Sequence, residues 1–527
     1  MAYMHPPCRS SRLWLPFAIS VLGLRALAAH AGSDPHEGSK PLDCGGLTSQ
    51  KVFENTTIVS ARMQPADADK HRPPFCEVTA TASPAPGSNI TIVVRLPDGW
   101  NGKLLGSGGG GWAGNTTLTA SAPDRPPGAT PGLVAGYVVA QTNGGHDVSN
   151  VWDTSWSTNP EAVTDFSYRA IHVMTNVAKA VIAAYYGRPQ QQAYFEGCST
   201  GGRQALMEVQ RYPNDYQGVI AGAPVYTLGV QTTSVVRNQV FARAEPLSDG
   251  QLARLKTAAL AACDGRDGLV DGVITDPRAC TFDPASLQCG SGSDTGQESC
   301  LTPKQVQTLH AVYSGVKNAA GDIVAYPLAR GSEGSWTRFI SAAKTPTEDD
   351  FNTGPAGAGL GGLRPLLFND ANFDLRAFNV DKDYPTIRNG AFAAGYEAKD
   401  PDISAFVNAG GKLLLWHGML DPGPSPLATI EYFDRVKQVT GPKVKSLDEN
   451  ARMFMAPGVY HCRGGPGADQ IDLVGAIDNW VAHGQAPSTL LATRTDGTLS
   501  RPVCQYPALP RYKSKGDPNA AESFICK

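Results

Sequence analysis

The stretch YFEGCSTGGRQ, residues 194–204, contains the pattern Gly-x-Ser-x-Gly, with Ser199 between Gly197 and Gly201. The apolar residues before the pattern are typical of a strand, and the residues after it are typical of a helix. Glycines on both sides allow a sharp turn that lifts a serine hydroxyl above the edge of a sheet, at the N-terminus of the helix. The stretch therefore predicts a nucleophilic Ser199 on a strand–helix turn.

Strands and helices alternate on both sides of this turn. Short β-like runs separated by glycine-rich turns occupy about residues 91–139, and an amphipathic helix is predicted over 165–187. A short strand follows the turn within YQGVIAGAP, and further strands are predicted at 412–416 and 453–456, with a final helix within 469–484. This alternation predicts an α/β fold in which helices cover both faces of a parallel sheet.

The composition and the predicted secondary structure of the chain change after Pro224. Until about residue 405 it has four cysteines, an acidic loop, many glycines and prolines, and few clear strands. We interpret residues 225–404 as an inserted domain. It separates two parts of one α/β domain, 32–224 and 405–527.

The N-terminus has the order of a secretory signal peptide. Arg9 and Arg12 come first, an apolar run follows over residues 13–24, and small residues extend to Ala31. We predict that residues 1–31 are a signal peptide and that the mature protein is secreted, extracellular or periplasmic; an N-terminal anchor is the alternative. No later stretch approaches the ~20 apolar residues of a membrane span.

The charge composition argues against nucleic acid and membranes as binding partners. The formal net charge is −3 and charged residues make up 18% of the chain. This charge balance provides no basic field for nucleic acid and no strong attraction to anionic membranes. We expect neither partner.

Ten cysteines remain once the predicted signal peptide is removed. An even number in an oxidising compartment predicts five disulfides. Short sequence separations favour four pairs, which are Cys44 with Cys76, Cys263 with Cys280, Cys289 with Cys300, and Cys504 with Cys526. Cys198 and Cys462 are left over, and they must meet in space if the other pairs are right.

A serine nucleophile needs a histidine as general base and a carboxylate that orients it, and this fold places them in the order serine, acid, histidine. His461 lies in PGVYHCRGGPG, a glycine-rich loop directly after a predicted strand. His417 begins the loop after KLLLW and is the main rival. His310 and His483 fall in helix-like stretches, which favours a surface or core-edge position for both.

Asp421 is the predicted acid, because it lies five residues beyond a strand end, on a loop at the carboxyl edge of the sheet. Its rivals fit less well: Asp402 precedes its strand, and Asp469 follows His461. If Ser199 and His461 share a hydrogen bond, their neighbours Cys198 and Cys462 come close enough for a disulfide. This bridge would consume the thiol beside the nucleophile and hold the base against it.

An acyl-transfer enzyme also needs backbone N–H donors for the oxyanion. One is expected from Thr200, the residue after the nucleophile. The other is expected from GSGGGGWAG, residues 106–114, where we select Gly109 and then Gly108. The alternative is that this run is only a flexible turn.

Cys-Ser at 198–199, Asp421 and His-Cys at 461–462 together resemble the pattern of the tannase and feruloyl esterase family, which also includes mono(2-hydroxyethyl) terephthalate hydrolase. The resemblance extends over GGHD at 144–147, GVIAGAP, the acidic cysteine loop and RYKSKGD. It implies an α/β-hydrolase fold with a large inserted lid domain, and it supports the triad, the Cys198–Cys462 bridge and the two oxyanion donors.

The resemblance also implies structural calcium in the acidic loop CDGRDGLVDGVI. In this chain the ligands would be carboxylates of Asp264, Asp267 and Asp271 and carbonyls of Leu269 and Val273. A hard cation prefers several oxygen ligands on such a turn-rich loop. The sequence alone leaves a solvated acidic loop equally open, and it indicates no organic cofactor.

We therefore predict a secreted serine esterase that hydrolyses esters of aromatic acids, such as feruloyl or galloyl esters. We expect this acid to be esterified to plant polysaccharide or tannin. The alternatives are a terephthalate-type ester hydrolase, a serine peptidase and a non-catalytic binding protein on a hydrolase scaffold. Lid residues considered for the acyl pocket are Trp336, Phe351, Leu363 and Phe368, and arginines considered for a terephthalate carboxylate are Arg338 and Arg364.

Overall fold

A nine-stranded mixed sheet forms the centre of the fold, in the order β1-β2-β3-β5-β4-β6-β7-β10-β11. The computed structural model describes residues 42–51, 53–69, 71–116, 131–243, 245–290 and 300–527, so the predicted signal peptide lies outside the described residues. The strands are β1 Thr56–Gln64, β2 Phe75–Ala82, β3 Ile90–Pro97, β4 Lys103–Ser107, β5 Val138–Thr142, β6 Gln192–Cys198, β7 Gly218–Gly222, β8 Val316–Lys317, β9 Ile323–Ala325, β10 Lys412–Gly418, β11 Ala451–Ala456, β12 Gln470–Ile471, β13 Thr489–Thr493, β14 Ser500–Cys504, β15 Pro510–Tyr512 and β16 Phe524–Cys526.

The prediction of a parallel sheet is right for the strands that hold the site and wrong for β3, and sequence reasoning predicted no strand at β1 or β2. Strands β5, β4, β6, β7, β10 and β11 pair in parallel. Strands β1, β2 and β3 pair antiparallel, and β3 pairs antiparallel with β5. The link from Ala82 to Ile90 explains part of this difference, because it is too short for the crossover that parallel neighbours require.

Helices cover both faces of this sheet, as the α/β prediction requires. On β10, Leu413 and Leu415 belong to the apolar cluster on one face, and Leu414 and Trp416 belong to the cluster on the other. The helices are α1 Pro131–Val134, α2 Pro160–Thr164, α3 Ala170–Tyr186, α4 Thr200–Arg211, α5 Leu228–Ala242, α6 Asp249–Cys263, α7 Pro303–Ser314, α8 Glu348–Asn352, α9 Arg364–Phe368, α10 Asp383–Arg388, α11 Ala391–Tyr396, α12 Ser404–Asn408, α13 Pro426–Thr440 and α14 Leu473–His483.

Two long helices show how the sequence sets their ends. The predicted helix over 165–187 consists of a π-helical turn followed by α3, which ends at Gly187 in the left-handed conformation with φ 68°. Helix α14 begins later than predicted, because Gln470–Ile471 pairs with β13 as strand β12. Asp472 then caps the helix by accepting a hydrogen bond from the Gly475 N–H at 2.8 Å.

The segment between β7 and β10 adds no strand to the nine-stranded sheet. Among its described residues, β8 and β9 pair with each other, and the remaining regular structure is helical. One apolar cluster lies wholly within the segment and includes Phe241, Leu255, Leu309 and Trp336. These features agree with an insertion, while its boundaries at 225 and 404 stay a prediction.

The C-terminal residues cover the β11 edge of the sheet. An isolated bridge joins Phe454 of β11 to Gln505, and the Tyr506 N–H donates to the Met453 carbonyl at 2.7 Å. Sequence reasoning predicted no strand after α14. Within the described ranges, no helix combines the length and the apolar character needed to cross a membrane.

Four disulfides join cysteines that are near one another in sequence. They are Cys44–Cys76, Cys263–Cys280, Cys289–Cys300 and Cys504–Cys526, the pairs that short separations favoured. The fifth disulfide belongs to the site described next.

Candidate active site

Ser199 occupies a sharp turn between β6 and α4. Its backbone has φ 65° and ψ −121°, a conformation that a residue with a side chain adopts only under strain. The turn is possible because neighbouring glycines allow close contact: a Cβ on Gly197 would lie 2.5 Å from the Gly201 backbone, and one on Gly202 would lie 2.2 Å from the Gly222 carbonyl oxygen. The backbone therefore has the shape of a nucleophile elbow.

His461 and Asp421 are joined by a short hydrogen bond. The Nδ1 of His461 lies 2.6 Å from Oδ2 of Asp421, and the Asp421 side chain is fully buried. Burial alone would raise the pKa of Asp421, but the charge of His461 and the hydrogen bonds from His417 and His461 lower it to about 2. The carboxylate is therefore ionised and able to stabilise an imidazolium at His461.

His417, the rival base, contacts the same carboxylate from inside the protein. Its Nε2 lies 3.0 Å from Oδ2 of Asp421, and its Nδ1 lies 2.8 Å from the Thr429 hydroxyl. When both histidines donate to Asp421, a neutral His417 accepts the Thr429 hydroxyl proton at Nδ1. The His417 side chain has no exposed surface, so it positions Asp421 and does not reach a substrate.

Ser199 and His461 line one narrow cavity. Its other walls are largely apolar and include Trp152, Val225 and Phe339. Phe339 also packs edge-on against the His461 ring, with centroids 5.2 Å apart. The structure thus brings Ser199, His461 and Asp421 to one place, while the predicted rival acids lie elsewhere: Asp402 pairs with Lys443, and Asp469 accepts from the Gly464 N–H.

The residues considered for the acyl pocket do not line this cavity. Trp336, Phe351 and Leu363 are buried in apolar clusters of the fold, and Phe368 stacks on Phe373. Trp112, Trp152 and Phe339 supply the aromatic walls instead. Sequence reasoning missed them because no periodicity shows which side chains of irregular loops and of the insertion face the nucleophile.

The predicted oxyanion donors differ in whether their N–H groups already have a hydrogen-bond acceptor. The Thr200 N–H lies at the start of α4, ahead of the first helical hydrogen bond from Arg203 to Ser199, so the helix provides no acceptor for it. The Gly109 N–H donates to Gln204 Oε1 at 3.0 Å, and the Gly108 N–H donates to the Glu196 carbonyl at 2.8 Å. Both glycines selected from the sequence thus already have acceptors.

The glycine-rich loop is fixed around Trp112. His146 Nε2 lies 2.8 Å from the Trp112 carbonyl oxygen, and the Trp112 indole N–H donates to the Ala358 carbonyl at 2.7 Å. The Thr200 hydroxyl donates to the Gly111 carbonyl. Burial lowers the pKa of His146 to about 4, so the ring is neutral and donates through Nε2 to the Trp112 carbonyl. The loop is therefore an ordered wall of the cavity.

A disulfide joins Cys198 to Cys462, with Cα atoms 6.0 Å apart and 264 residues apart in sequence. One end directly precedes Ser199 and the other directly follows His461. The bridge therefore ties the two segments that carry the candidate nucleophile and base.

Arg237, which sequence reasoning missed, supports the Asp421 loop from helix α5. Its guanidinium donates to the Pro422 carbonyl at 2.5 Å and to the Gly423 carbonyl at 3.3 Å. Burial lowers the pKa of Arg237 to about 10, while the charge of Asp421 opposes this shift. An arginine within a helical stretch gives no sequence signal of such a contact.

The acidic loop has a surplus of negative charge. Asp264 and Asp267 are buried, and burial together with the charge of Asp271 raises the pKa of each. Their oxygens accept N–H and hydroxyl hydrogen bonds, and Asp271 pairs with Arg501 at 2.5 Å. Among the described residues, no three His, Cys, Asp or Glu side chains converge as metal ligands. The loop thus fits a hard cation in charge and oxygen chemistry, but its carboxylates point to other partners.

The chain is similar to known proteins over most of its length. The family model for tannase and feruloyl esterase matches residues 76–527. A probable feruloyl esterase from Arthroderma benhamiae is 33% identical over 97% of this chain and 98% of its own, and a mono(2-hydroxyethyl) terephthalate hydrolase from Piscinibacter sakaiensis is 31% identical over 86% and 85%. The crystal structure of feruloyl esterase B from Aspergillus oryzae has a TM-score of 0.78 at 25% identity, covering 92% of this chain and 99% of its own. The chain therefore belongs to the tannase and feruloyl esterase family, has the α/β-hydrolase fold, and is a carboxylic ester hydrolase.

Proposed function

We propose that the protein hydrolyses esters of aromatic acids, such as feruloyl or galloyl esters, through an acyl-enzyme on Ser199. The observation that carries the proposal is the His461–Asp421 hydrogen bond of 2.6 Å at a cavity that His461 shares with the elbow serine. The reacting groups differ in burial as their roles require, because the acid is enclosed and the base has an exposed edge.

In the proposed reaction, the Ser199 hydroxyl attacks the ester carbonyl while His461 Nε2 takes its proton. Asp421 stabilises the imidazolium through Nδ1. The tetrahedral intermediate collapses, the C–O bond to the alcohol breaks, and His461 returns the proton to the leaving alcohol. A water molecule, deprotonated by His461, then releases the aromatic acid and restores Ser199.

The oxyanion would be held by backbone N–H groups. The Thr200 N–H supports this role through its place at the helix start. For the second donor, Gly109 can serve only if Gln204 gives up its hydrogen bond. The Gly110 and Gly111 N–H groups have no acceptor among the described residues, and Gly111 lines the Ser199 cavity, so Gly111 is the better candidate.

An aromatic acyl group suits the walls formed by Trp152 and Phe339, since flat rings pack well on aromatic side chains. The test is a panel of methyl ferulate, methyl caffeate, methyl gallate and mono(2-hydroxyethyl) terephthalate, assayed with the wild type and Ser199→Ala. Turnover of at least one phenolic ester that disappears in Ser199→Ala supports the proposal. Turnover that survives the substitution would locate the nucleophile elsewhere, and equal cleavage of matching amides would favour a peptidase.

A terephthalate-type substrate is the second candidate. Arg338 is exposed beside Phe339 of the cavity, with its guanidinium 5.9 Å from the ring centroid, whereas Arg364 is held by the carbonyls of Gly361 and Phe373. An Arg338→Gln variant tests this candidate. If Arg338 binds the second carboxylate, the variant loses activity on the terephthalate monoester and keeps activity on methyl ferulate.

We also propose that the acidic loop binds structural calcium through Asp264, Asp267 and Asp271, with carbonyls of Leu269 and Val273. Support comes from two buried carboxylates with an uncompensated charge, in a loop closed by the Cys263–Cys280 disulfide. The ion would stabilise the loop and take no part in ester cleavage. Elemental analysis of the purified protein tests this directly, and Asp264→Asn should lower the bound calcium.

We also propose that the protein is secreted and that the insertion forms a lid over the active site. The five disulfides support an oxidising compartment. Residues of the insertion line the Ser199 cavity, which supports a lid over the substrate. N-terminal sequencing of the protein recovered outside the cell would reveal whether residues 1–31 are removed.

A further inference from the structure

A second cavity, of about 650 Å³, lies between the insertion and helix α13 and shares no lining residue with the Ser199 cavity. Its walls are mainly polar and come from both sides: Tyr226, Tyr326 and Tyr384 contribute rings, and Arg388 and Arg435 contribute cations. This volume is within the usual range for small-molecule sites. The proposed ester hydrolysis does not use any of these side chains.

Arg435 has an unpaired guanidinium in this cavity. It makes no hydrogen bond or ion pair with any residue that the structure describes, and its Nε is buried without a partner. The other cation of the cavity, Arg388, pairs with Glu397 at 2.8 Å, whereas the Glu431 carboxylate accepts the Tyr326 hydroxyl at 2.5 Å and pairs with no cation among the described residues. A buried donor without an acceptor is costly, and a carboxylate matches a guanidinium in both charge and shape.

The remaining groups suit a ring with several hydroxyls. The Tyr226 and Tyr384 hydroxyls donate to backbone carbonyls at 3.0 and 3.4 Å, which leaves their oxygens able to accept. Asn389 and Asp322 add an amide and a carboxylate at the exposed side. Donors, acceptors and flat rings together match a sugar, whereas the apolar Ser199 cavity matches an aromatic acyl group.

Two loops connect the cavities. Val225 lines the Ser199 cavity and the next residue, Tyr226, lines the second one. Similarly, Gly423 lines the first cavity, and Ala428, at the start of α13, lines the second. A ligand in the second cavity therefore contacts the same two chain segments that border the reacting groups.

We propose that this cavity binds a uronic acid residue of a saccharide, with its carboxylate on Arg435. The inference extends the proposed function, because a uronate-containing polysaccharide that carries aromatic esters would then be held beside the site that cleaves them. The carboxylate could instead come from the aromatic acid product, and the experiment separates these two sources.

The test is isothermal titration of the full-length enzyme with tetragalacturonic acid, which contains no ester and is not consumed. We expect saturable binding, a loss of about tenfold or more in Arg435→Gln, and a change below about twofold in Lys437→Gln. Lys437 is the matched control, because it lies on the same helix, is exposed, and pairs with Asp434 outside the cavity. Asn389→Leu, which narrows the exposed side, should also weaken binding.

The proposal would be overturned by a lack of saturable binding, by equal affinity in Arg435→Gln, or by equal affinity for the uncharged xylotetraose. Displacement of tetragalacturonic acid by ferulate at similar concentration would assign the cavity to the product and also overturn it. Methyl ferulate turnover is measured separately and should be unchanged in Arg435→Gln. An enzyme that binds the saccharide but cleaves no aromatic ester would refute the proposed function and leave this inference standing.

Discussion

Replacing Cys198 and Cys462 together by alanine should reduce activity more than it reduces stability. For a loop of 264 residues, the chain-entropy relation gives a stabilisation of about 5.6 kcal/mol. Measured values for disulfides fall mostly below this relation, so we expect a loss of about 2–5 kcal/mol in the free energy of unfolding. Urea unfolding followed by tryptophan fluorescence, without reductant, measures that loss.

The activity loss should come from the histidine side of the bridge. Ser199 keeps backbone hydrogen bonds to Gly222 and Val225 at 3.0 and 3.1 Å, whereas His461 is followed by a glycine-rich loop. Without the bridge, small displacements of the imidazole should lower kcat about 10- to 100-fold in molecules that are still folded. Activity on a phenolic ester, normalised to the folded fraction, measures this effect.

The matched control is the double alanine variant of Cys504 and Cys526. This pair closes a loop of 22 residues, for which the same relation gives about 3.4 kcal/mol, and it lies outside the described Ser199 cavity. It should lower stability and leave kcat unchanged. If the Cys198 and Cys462 variant kept full kcat, or if both variants lost kcat equally, the bridge would not position the base.

Three further predictions concern the site and the acidic loop. Ser199→Ala and His461→Ala should each lower kcat by several orders of magnitude. His417→Gln should cost far less, because His417 positions Asp421 and does not reach the substrate; kcat values measured for the three variants would reveal a reversed order. The pKa of Asp421 is about 2 in the folded protein and about 4 in the unfolded chain. The stability that the ionised carboxylate contributes is therefore present above pH ~4 and should be lost as the pH falls toward 2. Acid titration followed by circular dichroism measures this loss. Exhaustive chelation should lower the melting temperature if calcium binds the folded loop, and an unchanged temperature would count against the ion.

Local signals predicted the elements around Ser199, because glycine spacing and helical periodicity act within short stretches. The elbow, α3 with its Gly187 cap, and the strand before Asp421 all follow from such patterns. The antiparallel direction of β3 does not, since alternation of apolar residues is similar in parallel and antiparallel neighbours, and no strand was predicted at β1 or β2.

Tertiary contacts account for most of what the sequence did not reveal. The acceptor for the Gly109 N–H is the Gln204 side chain on helix α4, 95 residues further along the chain, and no local pattern links the two. The same holds for Arg237 beneath the Asp421 loop and for Phe339 on the cavity wall. Such contacts depend on how distant segments of the chain pack together, which neither composition nor periodicity encodes.

The placement of the insertion between β7 and β10 affects how the chain assembles during synthesis. Strand β7 emerges with one edge unpaired, and its partner β10 follows only after the whole segment from Gly222 to Lys412. A segment with its own apolar cluster can fold during this interval, whereas an exposed strand edge invites pairing with other chains. Slower translation through the insertion would lengthen that exposure, so the yield of correctly assembled enzyme should depend on translation speed there and on chaperones that shield the open edge.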